Sequence, residues 1–358
     1  MIIEQPNNNL NVKYFSAFHF QIFKFSNFRI WVLAFCLSSC FKEKPIAPPN
    51  SAGIGQTALI EMGPEYHDQF FYSLNTNSVI SQNSLYVYDL MFDCGTNNFN
   101  VWLNTAKKMS VARTNKTDLK TVTINDTIGN DFHYELGEYN VDSNSFGKWW
   151  SDSLSTQPVT KGKVYIVDLG VDETGNPLGF VKMKINDFVN AYSISFANAN
   201  DTVITNAVIT KDDTRNYKYY SLISKAVMSN IEPPKDLWDF CFTRYSIIFY
   251  EPYYLPYLVT GVLHNPSRVS AYMDSTVNFD SIKIADFTVS RLQTRRDAVG
   301  YEWKRYSTQG TGGTYSTNKH YTYFVKTDED KYYKLRFIEF LKNGTGDNGY
   351  PLFEYFRL

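Results

Sequence analysis

The chain has 358 residues, with 35 Lys and Arg set against 36 Asp and Glu. That length supports one large or two ordinary domains with real cores, and the balanced charge excludes a nucleic-acid binder, whose affinity would come from excess cation. The 27 Tyr, 27 Phe and 6 Trp favour pleated, half-buried surfaces, whereas 5 His and 4 Cys leave little material for metal clusters. The expected class is all-β, mostly antiparallel sheets with a few short helices.

Residues 1–39 have the order of a lipoprotein signal peptide. Lys24 and Arg29 precede a short apolar run, 30–35, about half of the ~20 residues that a spanning helix needs. Leu37-Ser38-Ser39-Cys40 then matches the lipobox, in which small residues admit a signal peptidase ahead of a cysteine that takes lipid. Cys40 is therefore expected to bind membrane lipid. Residues 40–54, which include three prolines, form a flexible tether. Export permits a disulfide between Cys94 and Cys241, but each sits in a strongly apolar run, and two buried thiols are the plainer expectation.

From residue 55 onward the pattern is one strand after another. Runs 70–74, 85–92 and 99–103 are apolar and of strand length. Residues 104–108 suit a loop or one helical turn. Thr121-Val122-Thr123-Ile124 suggests a weak strand, and 133–150 is irregular and aromatic. Residues 164–185 form a hairpin with its turn at Glu173-Thr174-Gly175-Asn176, followed by strands at 192–196 and 203–209. The segment 250–262 holds two prolines and several aromatics, too broken for a regular strand, and is expected to loop across one end of a sheet. Residues 321–355 close the chain as a β-meander, with turns at Asp328-Glu329-Asp330 and at 343–349.

Landmarks recur in the same order. Phe71-Tyr72-Ser73-Leu74 is echoed by Tyr219-Tyr220-Ser221-Leu222, and Tyr88-Asp89-Leu90-Met91-Phe92 by Trp238-Asp239-Phe240-Cys241-Phe242. Val181-Lys182-Met183-Lys184 is answered by Tyr333-Lys334-Leu335-Arg336. The spacing predicts an internal duplication, with modules at 55–210 and 211–358.

The run Leu237-Trp238-Asp239-Phe240-Cys241-Phe242-Thr243-Arg244-Tyr245 resembles the HmuY family, as does Trp303 followed by Gly313-Thr314-Tyr315 and the strands at 323–325 and 333–337. The resemblance implies exported, lipid-anchored outer-membrane proteins of mostly antiparallel β structure. It also implies non-catalytic ligand binding: haem or tetrapyrrole capture for a TonB-dependent receptor, or a surface module for a glycan, peptide or partner protein. Haem capture needs a donor such as His or Met beside an apolar slot. The family's ligand positions fall on Thr308, five residues after Trp303, and within 272–278, where Met273 is the candidate. Thr cannot replace imidazole on iron. His264, in the turn expected at 261–266, is a further candidate, with a hydrogen-bonded structural His as the plainer reading.

Enzyme chemistry finds no foothold. There is no Gly-rich phosphate loop after a strand, no Gly-x-Ser-x-Gly elbow and no His-Glu-x-x-His. Trp149 and Trp150 suggest a sugar platform, but neighbours in a strand face opposite sides, so at most one would serve, and core packing is the simpler role.

Overall fold

The computed structural model describes residues 53–151, 158–308, 313–327 and 330–358. The expected signal peptide, Cys40, the tether up to residue 52, and Asp328 and Glu329 lie outside the described residues. Ala47–Leu358 forms one compact unit. Among the described residues the helices are 3-10 turns of three or four residues, and every strand pairing is antiparallel, as the all-β expectation required.

The first strands are β1 (Gly55–Leu59), β2 (Asp68–Ser73), β3 (Ser78–Ser84), β4 (Leu90–Asp93), β5 (Val101–Leu103), β6 (Ser110–Arg113) and β7 (Phe132–Tyr134). Next come β8 (Trp150–Ser151), β9 (Val159–Thr160), β10 (Val164–Asp168), β11 (Phe180–Ile185), β12 (Ala191–Asn198), β13 (Thr205–Thr210), β14 (Tyr217–Ser221) and β15 (Ala226–Met228). The chain ends with β16 (Phe240–Phe249), β17 (Leu255–His264), β18 (Val269–Asp274), β19 (Lys304–Ser307), β20 (Thr314–Thr317), β21 (Thr322–Thr327), β22 (Tyr332–Leu341) and β23 (Asn348–Arg357).

The strands form two β-sandwiches, and pairing does not follow chain order. In one sandwich, the six-stranded sheet β13-β12-β11-β10-β6-β7 packs on the four-stranded sheet β15-β14-β4-β5. Inward residues of both sheets interdigitate, among them Leu90, Phe92, Val111, Val167, Met183, Ile194 and Tyr220. In the other, the five-stranded sheet β1-β23-β22-β21-β18 packs on β17-β16-β2-β3 through Tyr72, Phe240, Phe242, Tyr323, Leu335, Phe337 and Phe353. The opposite faces of the two four-stranded sheets meet in a central seam rich in tyrosine, with Tyr88, Met91, Tyr217, Tyr219, Tyr245 and Leu263. Thus β1, β2 and β3, from the start of the folded chain, complete the sandwich built by its end. In the same way β13, β14 and β15 complete the sandwich built by 90–198.

The two sandwiches repeat one design residue by residue. The Asp89 carboxylate accepts from the backbone N of Leu222 at 2.7 Å and the hydroxyl of Ser221 at 3.2 Å. The Asp239 carboxylate accepts from the backbone N of Leu74 at 2.7 Å. Asn104 donates to the carbonyls of Leu85 and Tyr88, and Asn265 to those of Lys235 and Trp238. Lys182 donates to the Val122 carbonyl at 2.8 Å, and Lys334 to those of Phe279 at 2.7 Å and Ile282 at 3.3 Å. The echoes seen in the sequence therefore occupy equivalent places.

Three local expectations are corrected. Thr121–Ile124 is not a strand: 3-10 turns lie at Leu119–Thr121 and Ile124–Thr127. The Asp118 side chain accepts from the Lys120 N–H and that of Asp126 from the Thr123 N–H, giving the backbone an alternative to a ladder. Of 85–92, only the end enters a strand, β4, because Asn104 ties the carbonyls of Leu85 and Tyr88 into a turn. Within 250–262, residues from Leu255 onward form the regular strand β17, paired along its whole length with β16. Pro256 is tolerated because β17 is an edge strand. His264 consequently ends a strand rather than sitting in a turn. Cys94 and Cys241 are free, buried thiols.

Candidate functional site

The residues implied by family resemblance do not converge on a ligand cavity. Trp303 is buried, stacked on Phe337 with ring centroids 4.0 Å apart, and donates from Nε1 to the Gly300 carbonyl at 3.0 Å; it pins the core. Met273 lies on β18 opposite Tyr323, half-buried against the same core. Thr308 is exposed just after β19, next to residues 309–312, which lie outside the described residues. His264 is fully enclosed. Its Nδ1 faces the Asn265 carbonyl at 3.3 Å, its Nε2 has no hydrogen-bond partner, and burial pushes its pKa down to about 4. It is thus a neutral core imidazole. His67 and His320 are exposed, and His133 is half-buried on β7. Trp149 is buried, with Nε1 donating to the Phe99 carbonyl at 2.7 Å.

Sequence reasoning missed the buried charges, since charged residues are ordinarily exposed. Lys107 pairs with Asp89, and Arg268 with Asp239 at 3.0 Å, all four buried. Glu232 accepts from Asn216 and from the Tyr217 N–H, and burial raises it to about 7. Glu135, also by burial, is raised to about 8. Lys304 donates to the Thr260 carbonyl, and burial lowers it to about 7. The signal available beforehand was position: Asp89 and Asp239 each interrupt an apolar run at the same place in the repeat.

The exposed feature of the second sandwich is aromatic. β2 pairs only with Phe240–Phe242 of β16, so the β16–β17 hairpin runs on past that partner. Its far end exposes Phe249, Tyr250, Tyr253, Tyr254, Leu255 and Tyr257, with Tyr250 at 68% and Tyr253 at 66%. Partial burial, then the neighbouring phenols of Tyr250 and Tyr134, raise the Tyr254 phenol above its usual range. Partial burial, then Tyr257 and Tyr306, do the same for Tyr315. The rings of Tyr306 and Tyr315, on β19 and β20, lie 4.9 Å apart, and Tyr306 stands two residues before Thr308. Phenols of β7, the hairpin tip and β19–β20 therefore lie close enough to act on one another.

A wide cleft of about 660 Å³ lies elsewhere, lined by Cys94, Phe188, Lys211, Asp212, Asp213 and Lys218 among others. Its size suits a small molecule, but its cations are engaged. The Lys211 ammonium donates to the carbonyls of Gly95 and Asn98, each at 2.6 Å, and lies 4.4 Å from the Phe99 ring centre. Lys218 pairs with Asp212 at 3.2 Å. Burial pushes the Cys94 thiol up to about 11, away from a metal-binding thiolate. Neither this cleft nor the phenol surface presents His or Met. The arrangement does not fit axial ligation of haem by those donors. Among the described residues no group of three His, Cys, Asp or Glu converges to hold a metal ion.

Comparison with known proteins agrees with the second half of the chain. The family model described as HmuY protein matches residues 213–355. Apo PinO from Porphyromonas gingivitis is similar in structure, with 9% identity and a TM-score of 0.34, covering 85% of this chain and 97% of that one. A protein of Bacteroides vulgatus ATCC 8482 described as HmuY-like and heme-binding has 15% identity and a TM-score of 0.23, over 39% of this chain and 83% of its own. A protein of Bacteroides fragilis NCTC 9343 described as a lipoprotein has 14% identity and a TM-score of 0.22, over 48% and 92%. No curated protein matches the chain. Residues 213–355 are therefore similar to the HmuY family, and the match does not extend over the first half of the chain.

Proposed function

We propose that the protein is a non-catalytic binding protein that takes a planar, amphipathic ligand onto the phenol surface of its second sandwich. The observation that carries this is the clustering of Phe249, Tyr250, Tyr253, Tyr254, Leu255, Tyr257 and Tyr306 in the open. Exposed apolar area of this kind marks binding sites, and tyrosine offers a flat face together with a hydroxyl at low entropic cost. Haem or another tetrapyrrole is the ligand that the family match favours. On this chain it would be held by ring stacking, not by His or Met on the iron. Lipid on Cys40 would keep the protein at the outer membrane, where a TonB-dependent receptor would be the acceptor. The alternative ligand is a glycan, favoured by the phenol hydroxyls, which bond sugar hydroxyls while the rings cover C–H faces.

Titration of residues 47–358 with haemin and, separately, with iron-free protoporphyrin IX tests this. Stacking predicts saturable binding of both with similar affinity, seen as a shifted, sharpened Soret band. Binding of haemin alone would mean that iron ligation carries the affinity. Binding of neither would remove the tetrapyrrole and leave the glycan reading to a carbohydrate array.

A further inference from the structure

The seam between the two four-stranded sheets encloses a cavity of about 20 Å³. A space of that size holds one small species, since a single water needs at least about 10–15 Å³. Its wall includes Gln69, Asn104, Thr105, Arg244 and Arg296, giving two guanidinium groups and no carboxylate.

Arg296 is only 7% exposed. Its Nη1 has no hydrogen-bond partner, and its Nε reaches the His264 carbonyl only at 3.4 Å. The rings of Tyr139 and Tyr217 flank the guanidinium, with centres 4.7 and 5.3 Å away, and supply part of its compensation. Glu232 acts on it electrostatically but does not line the cavity, and its oxygens are occupied by Asn216, Tyr217 and Tyr219. A buried cation with an unused donor is costly unless an anion meets it. Arg244, half-buried, provides a second cation and lies toward solvent, with Nη1 donating to the Tyr86 hydroxyl at 3.0 Å.

We propose that this cavity is a monatomic-anion site, occupied by chloride, in which Arg296 and Arg244 hold the ion at the seam. The small volume favours a monatomic ion over an oxyanion or carboxylate. Anomalous diffraction from crystals of the protein exchanged from chloride into bromide tests it directly: the expected result is a bromide peak in the cavity beside Arg296. In solution, chloride is expected to raise the melting temperature saturably over gluconate at equal ionic strength. Arg244→Gln, which alters a half-exposed residue, should raise the half-saturating chloride concentration by about tenfold, the loss of roughly one charge-assisted hydrogen bond. Density that refines as water with no bromide signal, or superposable melting curves in chloride and gluconate, would overturn the proposal. So would an unaltered chloride midpoint in Arg244→Gln.

Discussion

Asp89 and Asp239 each perform two tasks at once. Each accepts the first backbone N–H after a strand that arrives from a distant part of the chain, and each neutralises a buried cation. Asp89→Asn leaves the Lys107 charge buried without its partner, and Asp239→Asn does the same to Arg268. Breaking a buried pair in this way costs about 3–5 kcal/mol, so each variant should lose that much stability in urea unfolding, and by similar amounts. A loss under about 1 kcal/mol would place these pairs with ordinary surface bridges. Glu232 gives a pH signature. Burial lifts its folded value to about 7, above the usual carboxylate range. Between those values the folded chain holds a proton that the unfolded chain has released, so this residue's contribution to stability falls as pH rises through the window. Glu232→Gln removes that fall. Measured by denaturant unfolding, the variant should gain on the native protein from about pH 5 to about pH 7; a gap independent of pH would contradict the assignment.

At the scale of elements, the seam depends on close backbone approach. Gly137 donates its N–H to the Ser246 carbonyl at 3.0 Å, and a Cβ there would stand 2.2 Å from the ring of Tyr245. Tyr245 is fully buried and has no room to yield. Gly137→Ala should therefore lower stability by about 1–3 kcal/mol, the cost of overpacking, with the melting temperature as the readout; a neutral substitution would show that the sheets can part. The elements themselves were largely legible. Alternation and turn residues located both hairpins at 164–185 and 321–355, and the Ser-Leu and Asp echoes located the equivalent strands. What was not legible was local competition. The Asp126 side chain takes the Thr123 N–H that Thr121–Ile124 would have offered to a ladder, and Asp118 caps the preceding turn through the Lys120 N–H; Pro256 looked like a breaker because edge position is a property of the sheet, not of the sequence.

At the scale of the whole molecule, the repeat was visible but the pairing was not. Similar modules in tandem leave two ways to place each leading segment, and period-two patterns are satisfied by either. The structure sends β1–β3 to the later sandwich and β13–β15 to the earlier one. The proposed binding surface was hidden for a related reason: Tyr250, Tyr253, Tyr254 and Tyr257 fall in a segment that reads as a loop across one end of a sheet, and only the length of the β16–β17 hairpin carries them past the strand that would have covered them. The most direct measurement is protoporphyrin IX titration of a Tyr250→Ser, Tyr254→Ser, Tyr257→Ser variant beside the native protein. All three residues are exposed, so the melting temperature should not change, while affinity should fall at least about tenfold with the loss of three stacking faces. Undiminished affinity in a correctly folded variant would contradict the assignment of binding to this surface.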